Sequence, residues 1–274
     1  MKRKREKRSV GFSIRNKMIL GGGIPLVIVL AVIGAVLRTQ IVSTVEDLKK
    51  TEINAQTKTA YEQIQGYFEP YFVGVSQIAD IDSIYNMIEQ SSLDPAYNLR
   101  NSEYFAAVVG ELQEAEGNQT GSVLSSGVVS TKGRQMVRSD GTYANNFDPT
   151  SRAWYQLVEK SSGEPVLSAA HVNALTGKMV VSVAVGIYKD GTGELIGAVM
   201  FDIALDALAE ELSKISIGEE GYLTVYDSAG NIIFHPNSEL IMSHMDSVGY
   251  SENIHGVLSG NSASPAMLYQ REGI

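Results

Sequence analysis

Cysteine is absent from all 274 residues. That excludes disulfide scaffolds, thiolate metal sites and cysteine nucleophiles, and it leaves a domain outside the cytoplasm free to fold without oxidation chemistry. Histidine is scarce, and His171, His235, His244 and His255 show no metal-ligand spacing such as H-E-x-x-H. No G-x-S-x-G, phosphate loop or dinucleotide fingerprint occurs. The run Asp227-Ser-Ala-Gly-Asn231 reads as a hairpin turn rather than a phosphate site. The chain is therefore expected not to be an enzyme, with no catalytic residue, no metal and no cofactor.

Charge is missing from one long stretch. Met18 to Leu37 are twenty residues without a charged side chain. As a helix they span roughly 30 Å, the thickness of a bilayer's hydrocarbon core. Gly21-Gly22-Gly23 and Pro25 are tolerable in such a helix. The stretch is long for a signal-peptide core and no small-x-small cleavage site follows it, so it reads as an uncleaved anchor.

What is present before the anchor sets its orientation. Residues 1–17 hold eight basic side chains against Glu6 alone. Removing these from the 22 basic and 31 acidic residues leaves 14 against 30, a remainder of about −16. The basic end stays in the cytoplasm and the acidic body lies outside. A basic tail also suits nucleic acid, but the apolar stretch that follows favours a membrane, and no nucleic-acid partner is expected. The protein is thus placed in the cell membrane, single-pass, with its body extracytoplasmic.

From 39 to about 90 apolar residues recur at helical spacing: Ile53, Ala60, Ile64, Phe68, Phe72, Val75 and Ala79. Pro70 is expected to kink or break this helix. The stripe suits a spacer or a dimerisation stalk, or packing on the chain's own sheet, and both can hold along different parts of it. Beyond Gly121 the pattern becomes short strands with turn signals: Ser122–Ser130, Gln135–Arg138, Val166–Val172, Met179–Tyr188 and Leu195–Ile203. A helix is expected over Leu205–Lys214, then a hairpin of Tyr222–Asp227 and Ile232–His235. Hairpin-joined strands with helices set apart indicate an α+β fold with antiparallel sheets. Met267-Leu268-Tyr269 opens a fresh strand with no closing element, so the chain reads as truncated, without an output domain.

Two places carry chemistry. In Phe147-Asp148-Pro149-Thr150-Ser151-Arg152-Ala153-Trp154-Tyr155 a capping residue precedes a helix whose first turn holds Arg152. A cation there opposes the helix dipole, and a bound anion reverses the sign. Trp154 and Tyr155 add an indole N–H, a hydroxyl and flat apolar walls. The second is Asp202, which strand alternation puts on the face of Ile196, Ala198 and Met200. A carboxylate there needs a partner, either Arg152 or a ligand ammonium. Two readings stay open: a site with a cation for a carboxylate and an anion for an amine, or an ordinary ion pair beside core aromatics.

At these residues the chain resembles the double Cache sensor family of bacterial methyl-accepting chemotaxis receptors. Asp148-x-x-x-Arg152-x-Trp154-Tyr155 is similar to its membrane-distal pocket motif, and the run from Gly218 to Asn237 is similar to the opening hairpin of its membrane-proximal module. The resemblance implies tandem PAS-like modules after the stalk. The expected division is a basic tail over 1–17, a transmembrane helix over 18–37, a stalk region over 38–90, a membrane-distal Cache module over 91–215 and an incomplete membrane-proximal one over 216–274. In amino-acid-binding members the Arg and Trp hold the ligand carboxylate, while the Tyr and a later Asp help hold its amine. Arg152, Trp154, Tyr155 and Asp202 match those positions. Two further positions, usually Tyr, are Phe147 and His171 here, and His171 keeps a donor or acceptor. The implied partners are a small ligand (an amino acid or related amine), the membrane and a second copy of the chain. The implied output is chemotaxis; the alternative is the sensor region of a histidine kinase or a diguanylate cyclase.

Overall fold

The computed structural model describes residues 24–119, 122–173, 176–215, 217, 221–227 and 229–249. The basic tail, the start of the apolar stretch at Met18–Gly23, part of the run from Gly218 and the strand signal at Met267–Tyr269 lie outside the described residues. By its internal contacts the chain divides into Met1–Asn54 and Ala55–Ile274.

Helix α1 runs over Ile24–Ala79. Within the first unit its large apolar side chains, such as Leu30, Ile33 and Leu37, are exposed. Among the described residues this is the one helix long and apolar enough to cross a membrane.

In the second unit the same helix is amphipathic. Phe68, Tyr71, Val75 and Ile78 are buried in the main core, with Ile64, Phe72 and Ala79 packed against it. The expected stripe therefore covers the chain's own sheet over this stretch. Pro70 neither ends nor breaks α1. Proline removes one backbone hydrogen bond, and the buried residues on both sides, Phe68 and Tyr71, hold the helix by tertiary packing. The helix stops at Ala79, and α2 (Asp82–Leu93) and α3 (Phe105–Asn118) follow.

The strands are β1 (Val123–Ser130), β2 (Gln135–Arg138), β3 (Tyr143–Asn145), β4 (Val166–Leu167), β5 (His171–Val172), β6 (Met179–Tyr188) and β7 (Leu195–Ala204). They form one seven-stranded antiparallel sheet in the order β3-β2-β1-β7-β6-β4, with β5 also on β6. The short helix α4 (Ala153–Val158) sits between β3 and β4, and α5 (Leu205–Leu212) follows β7. A separate two-stranded hairpin joins β8 (Val225–Tyr226) to β9 (Ile232–Phe234). The expected α+β class with antiparallel sheets is what the chain adopts.

Alternation gives the sheet two unlike faces. Val128, Val183, Val199 and Phe201 meet the helices α1, α2 and α3 in the main core. Val129, Met136, Ala184, Ala198 and Met200 face α4 with Trp154 and Tyr155. Ile196 is an exception: Ile187 pairs Gly197 and Tyr188 pairs Leu195, so Ile196 is the extra residue of a bulge. A bulge shifts the alternation by one, and Ile196 joins the helix-side core.

The single strand expected over Val166–Val172 is two. The Ser168 hydroxyl accepts from Ser182 N, and Ala170 N donates to the Asp227 carboxylate at 3.0 Å. Side chains thus take over bonds that would otherwise continue the ladder. The Asp227 turn is a hairpin turn as expected: Gly230 has φ +82°, and the Asp227 carboxylate accepts from Ala229 N and Asn231 N.

Candidate functional site

On the α4 face of the sheet lies a cavity of about 240 Å³. That is below the ~300–1,000 Å³ of sites for drug-sized ligands, so its size suits a small metabolite. Arg152, Trp154, His171 and Asp202 all line it. Distant segments are brought together by the sheet order: β5 carries His171, β7 carries Asp202, the first turn of α4 carries Trp154, and the loop into α4 carries Arg152.

That loop is held by local bonds. The Asp148 carboxylate accepts from the Thr150 backbone N–H at 3.1 Å and its hydroxyl at 2.7 Å, and pairs with Arg134 at 3.0 Å. The Thr150 hydroxyl, its backbone N–H, and the charges of Arg134 and Arg152 hold the Asp148 carboxyl below its usual range. Pro149–Ser151 makes one tight turn, and Arg152 is the extended residue between it and α4, not a member of the helix's first turn. Its guanidinium lies 4.9 Å from the Phe147 ring centre, a cation–π contact. No ion pair or side-chain hydrogen bond engages it among the described residues, and its Nε is buried without a partner. A buried N–H left unpaired costs about 1–3 kcal/mol, so a ligand acceptor there is favoured.

Asp202 is 3% exposed and sits between two serines in the sheet, in register with Ser125 on β1 and Ser182 on β6. The Ser182 hydroxyl donates to Oδ1, while Oδ2 accepts from Asn173 Nδ2 at 2.6 Å and Ser125 Oγ at 3.2 Å. Asn173 is fixed in turn, its carbonyl oxygen accepting from the Thr176 N–H and hydroxyl. The carboxylate is therefore held by neutral donors. It makes no ion pair with Arg152, which corrects one of the two expected partnerships. Three neutral hydrogen bonds orient the charge without cancelling it, which leaves it able to attract an ammonium.

His171 joins this row. Its Nε2 stands 3.4 Å from Ser182 Oγ and its Nδ1 3.2 Å from the Ala169 carbonyl oxygen. Trp154 presents its ring to the cavity and meets Tyr155 edge-on, with ring centres 5.7 Å apart. Tyr155 differs from the others. It is 1% exposed, does not line the cavity, and shares a 2.6 Å hydrogen bond with Thr131 Oγ1. Burial pushes its hydroxyl above the ordinary tyrosine range. In this geometry Tyr155 packs behind Trp154 rather than facing a ligand.

Sequence reasoning passed over Arg138, Asn173, Ser125 and Ser182. Ser182 does leave a trace, a lone small polar residue in an otherwise apolar strand, whereas Ser125 stands beside Ser126 and is not singled out. Their convergence on Asp202 depends on strand register. Arg138 ends β2 next to a turn and reads as a solvated charge, yet it lines the cavity.

Comparison with known proteins places this architecture. The Cache domain family matches residues 38–270. The chain belongs to that family. The methyl-accepting chemotaxis protein McpC of Bacillus subtilis is 22% identical over 194 residues, 71% of this chain and 28% of that protein. McpA of Pseudomonas putida is 31% identical over 117 residues, 43% of this chain and 18% of that protein. The chain thus spans less than a third of the length of these curated relatives. Among solved structures, the sensory domain of the Campylobacter jejuni chemoreceptor Tlp3 with isoleucine bound is 18% identical with a TM-score of 0.58, covering 80% of this chain and 82% of that one. The ligand-binding domain of the Pseudomonas fluorescens chemoreceptor CtaA in complex with L-isoleucine is 21% identical with a TM-score of 0.55, covering 74% and 75%. At these identities the likeness shows that the Cache fold is shared.

Proposed function

We propose that this Cache domain is the extracytoplasmic sensor of a transmembrane chemoreceptor and binds a free amino acid. The observation that carries the reading is the pair of opposite, separately held charges on one small cavity. Arg152 has a buried, unpartnered Nε, and Asp202 is locked by Ser125, Asn173 and Ser182. An α-carboxylate on Arg152 forms a charge-assisted bond in the geometry a guanidinium favours. An α-ammonium on Asp202 completes the match, with Trp154 as an apolar wall and His171 beside the amine end. Arg152 and Asp202 are not spent on each other, so both remain available to one zwitterion.

The relatives named as methyl-accepting chemotaxis proteins, and the sensory domains solved with isoleucine, support this direction. The apolar stretch of α1 serves as the anchor. Ligand binding favours one arrangement of α1 against the sheet, and that preference is the signal. The output is chemotaxis through a bound kinase, and this chain itself catalyses nothing.

The test is thermal unfolding of the chain in lipid nanodiscs with each common L-amino acid. At a hundred times its dissociation constant a ligand stabilises by about 2.7 kcal/mol, a rise on the order of 5–10 °C. Loss of that rise in Arg152→Ala supports the reading. A folded chain that no amino acid stabilises refutes it.

A further inference from the structure

A zwitterion on Arg152 and Asp202 leaves a third charge on the cavity wall unanswered. Arg138 stands two residues from Met136 on β2, on the same face, and both line the cavity. It lies opposite Gly127 of β1 in the register, so no side chain rises from that partner position. Its side-chain hydrogen bond is weak: Nη1 donates to Thr142 Oγ1 at 3.4 Å. No carboxylate lies within ion-pair distance of it among the described residues. Burial pushes its guanidinium below the ordinary arginine range, as does the like charge of Arg152; the charges of Asp140 and Asp202 pull the other way. The side chain is half-buried and remains a cation at any physiological pH.

The charge count of the cavity follows. Arg138 and Arg152 supply two positive charges and Asp202 one negative. A neutral amino acid leaves one cation unmatched in a partly desolvated wall, whereas a ligand of net charge −1 neutralises it. We propose that Arg138 is the specificity-determining residue of this site and takes a second anionic group, so that the cavity selects amino acids with a carboxylate side chain. The proposal rests on the assignment of Arg152 and Asp202 to the α-carboxylate and α-ammonium. It separates this chain from its structural neighbours solved with isoleucine, whose ligand has no charged side chain.

The experiment is calorimetric titration of the chain in nanodiscs with four probes forming two near-isosteric pairs: L-glutamate and L-glutamine, L-aspartate and L-asparagine. L-Isoleucine is the uncharged reference. In the unmodified chain the acid of at least one pair binds about tenfold or more tightly than its amide, as expected for one charge-assisted bond. Arg138→Gln brings that ratio close to one by weakening the acid and not the amide. Arg138→Lys, which keeps the charge and loses the fork, retains part of it. Equal affinity for acid and amide in the unmodified chain overturns the proposal, and so does a ratio that survives Arg138→Gln. Isoleucine binding without an acid preference removes the role of Arg138 alone. Binding of none of the five removes the underlying assignment of Arg152 and Asp202 as well. The ratio in the unmodified chain is decisive even where a variant fails to fold.

Discussion

Phe201 and Asp202 are neighbours on β7 whose side chains leave opposite faces of the sheet. The Phe201 ring reaches the helix-side core, where its Cε2 lies 3.0 Å from the position of a Cβ on Gly74 of α1. The Asp202 carboxylate lines the cavity. A ligand that pulls on Asp202 therefore acts on a strand whose next residue is seated against α1. Packed cores shift between discrete arrangements rather than deforming smoothly. Spin labels at Gln77 on α1 and Thr192 in the β6–β7 turn are expected to change separation by about 1–2 Å when an amino acid saturates the site. An unchanged distance at saturation rules out this route.

Asp202→Asn is expected to fold and to bind poorly. An amide with its oxygen towards Asn173 and Ser125 keeps both of those bonds, and its nitrogen donates to a Ser182 hydroxyl that turns to accept. The negative charge is gone, so affinity for an amino acid falls about tenfold or more. Asp202→Ala instead strands Ser125, Asn173 and Ser182, at about 1–3 kcal/mol for each buried group left unpaired. Unfolding curves with and without ligand separate the two effects.

Two glycines test the packing in opposite directions. A Cβ on Gly197 falls 2.4 Å from the Val129 carbonyl oxygen and 2.6 Å from Ile88 Cγ2. Backbone on the neighbouring strand has nowhere to go, so Gly197→Ala destabilises by roughly 1–3 kcal/mol or more. Gly110, inside α3, has nothing within 4 Å of its Cβ position. Gly110→Ala raises stability by about 0.5–1 kcal/mol through helix propensity. Denaturant midpoints of the two variants should move apart, one on each side of the parent.

The Asp148 turn carries a pH signature. Its carboxyl is held low chiefly by the Thr150 hydroxyl, with the Thr150 N–H and Arg134 adding to the effect. A folded-state value below the unfolded one gives stability that is present above the ordinary carboxylate pKa and is lost as pH falls through the folded value. Asp148→Asn removes that contribution. The variant is expected to melt below the parent near neutral pH and to converge with it towards pH 3. A constant gap across that range contradicts the assignment.

Much of this architecture was legible in the residues. Gln135–Arg138 and Met179–Tyr188 read correctly as strands because each is a short apolar-rich run bounded by turn signals, and both depend on local order alone. The misreadings share one cause: a long-range contact decided what a local rule did not. Pro70 carries a helix-breaking rule, but burial of Phe68 and Tyr71 keeps α1 intact. Val166–Val172 looks continuous until Asp227, far along the chain, captures Ala170 N. Asp202 stood out as a misplaced charge, yet its partners became visible only through the register that sets Ser125 and Ser182 beside it. Tyr155 was expected in the site beside Trp154 and does not line the cavity: on one turn of helix two adjacent residues point different ways, and its hydroxyl shares a hydrogen bond with Thr131.

The measurement that bears most directly on two-ended recognition is calorimetric titration of the parent, Arg152→Ala and Asp202→Asn chains with the common L-amino acids at neutral pH. The account predicts saturable binding of at least one amino acid by the parent and a loss of about tenfold or more in each variant. Parent-like affinity in either folded variant, or no binding of any amino acid by the folded parent, would contradict it.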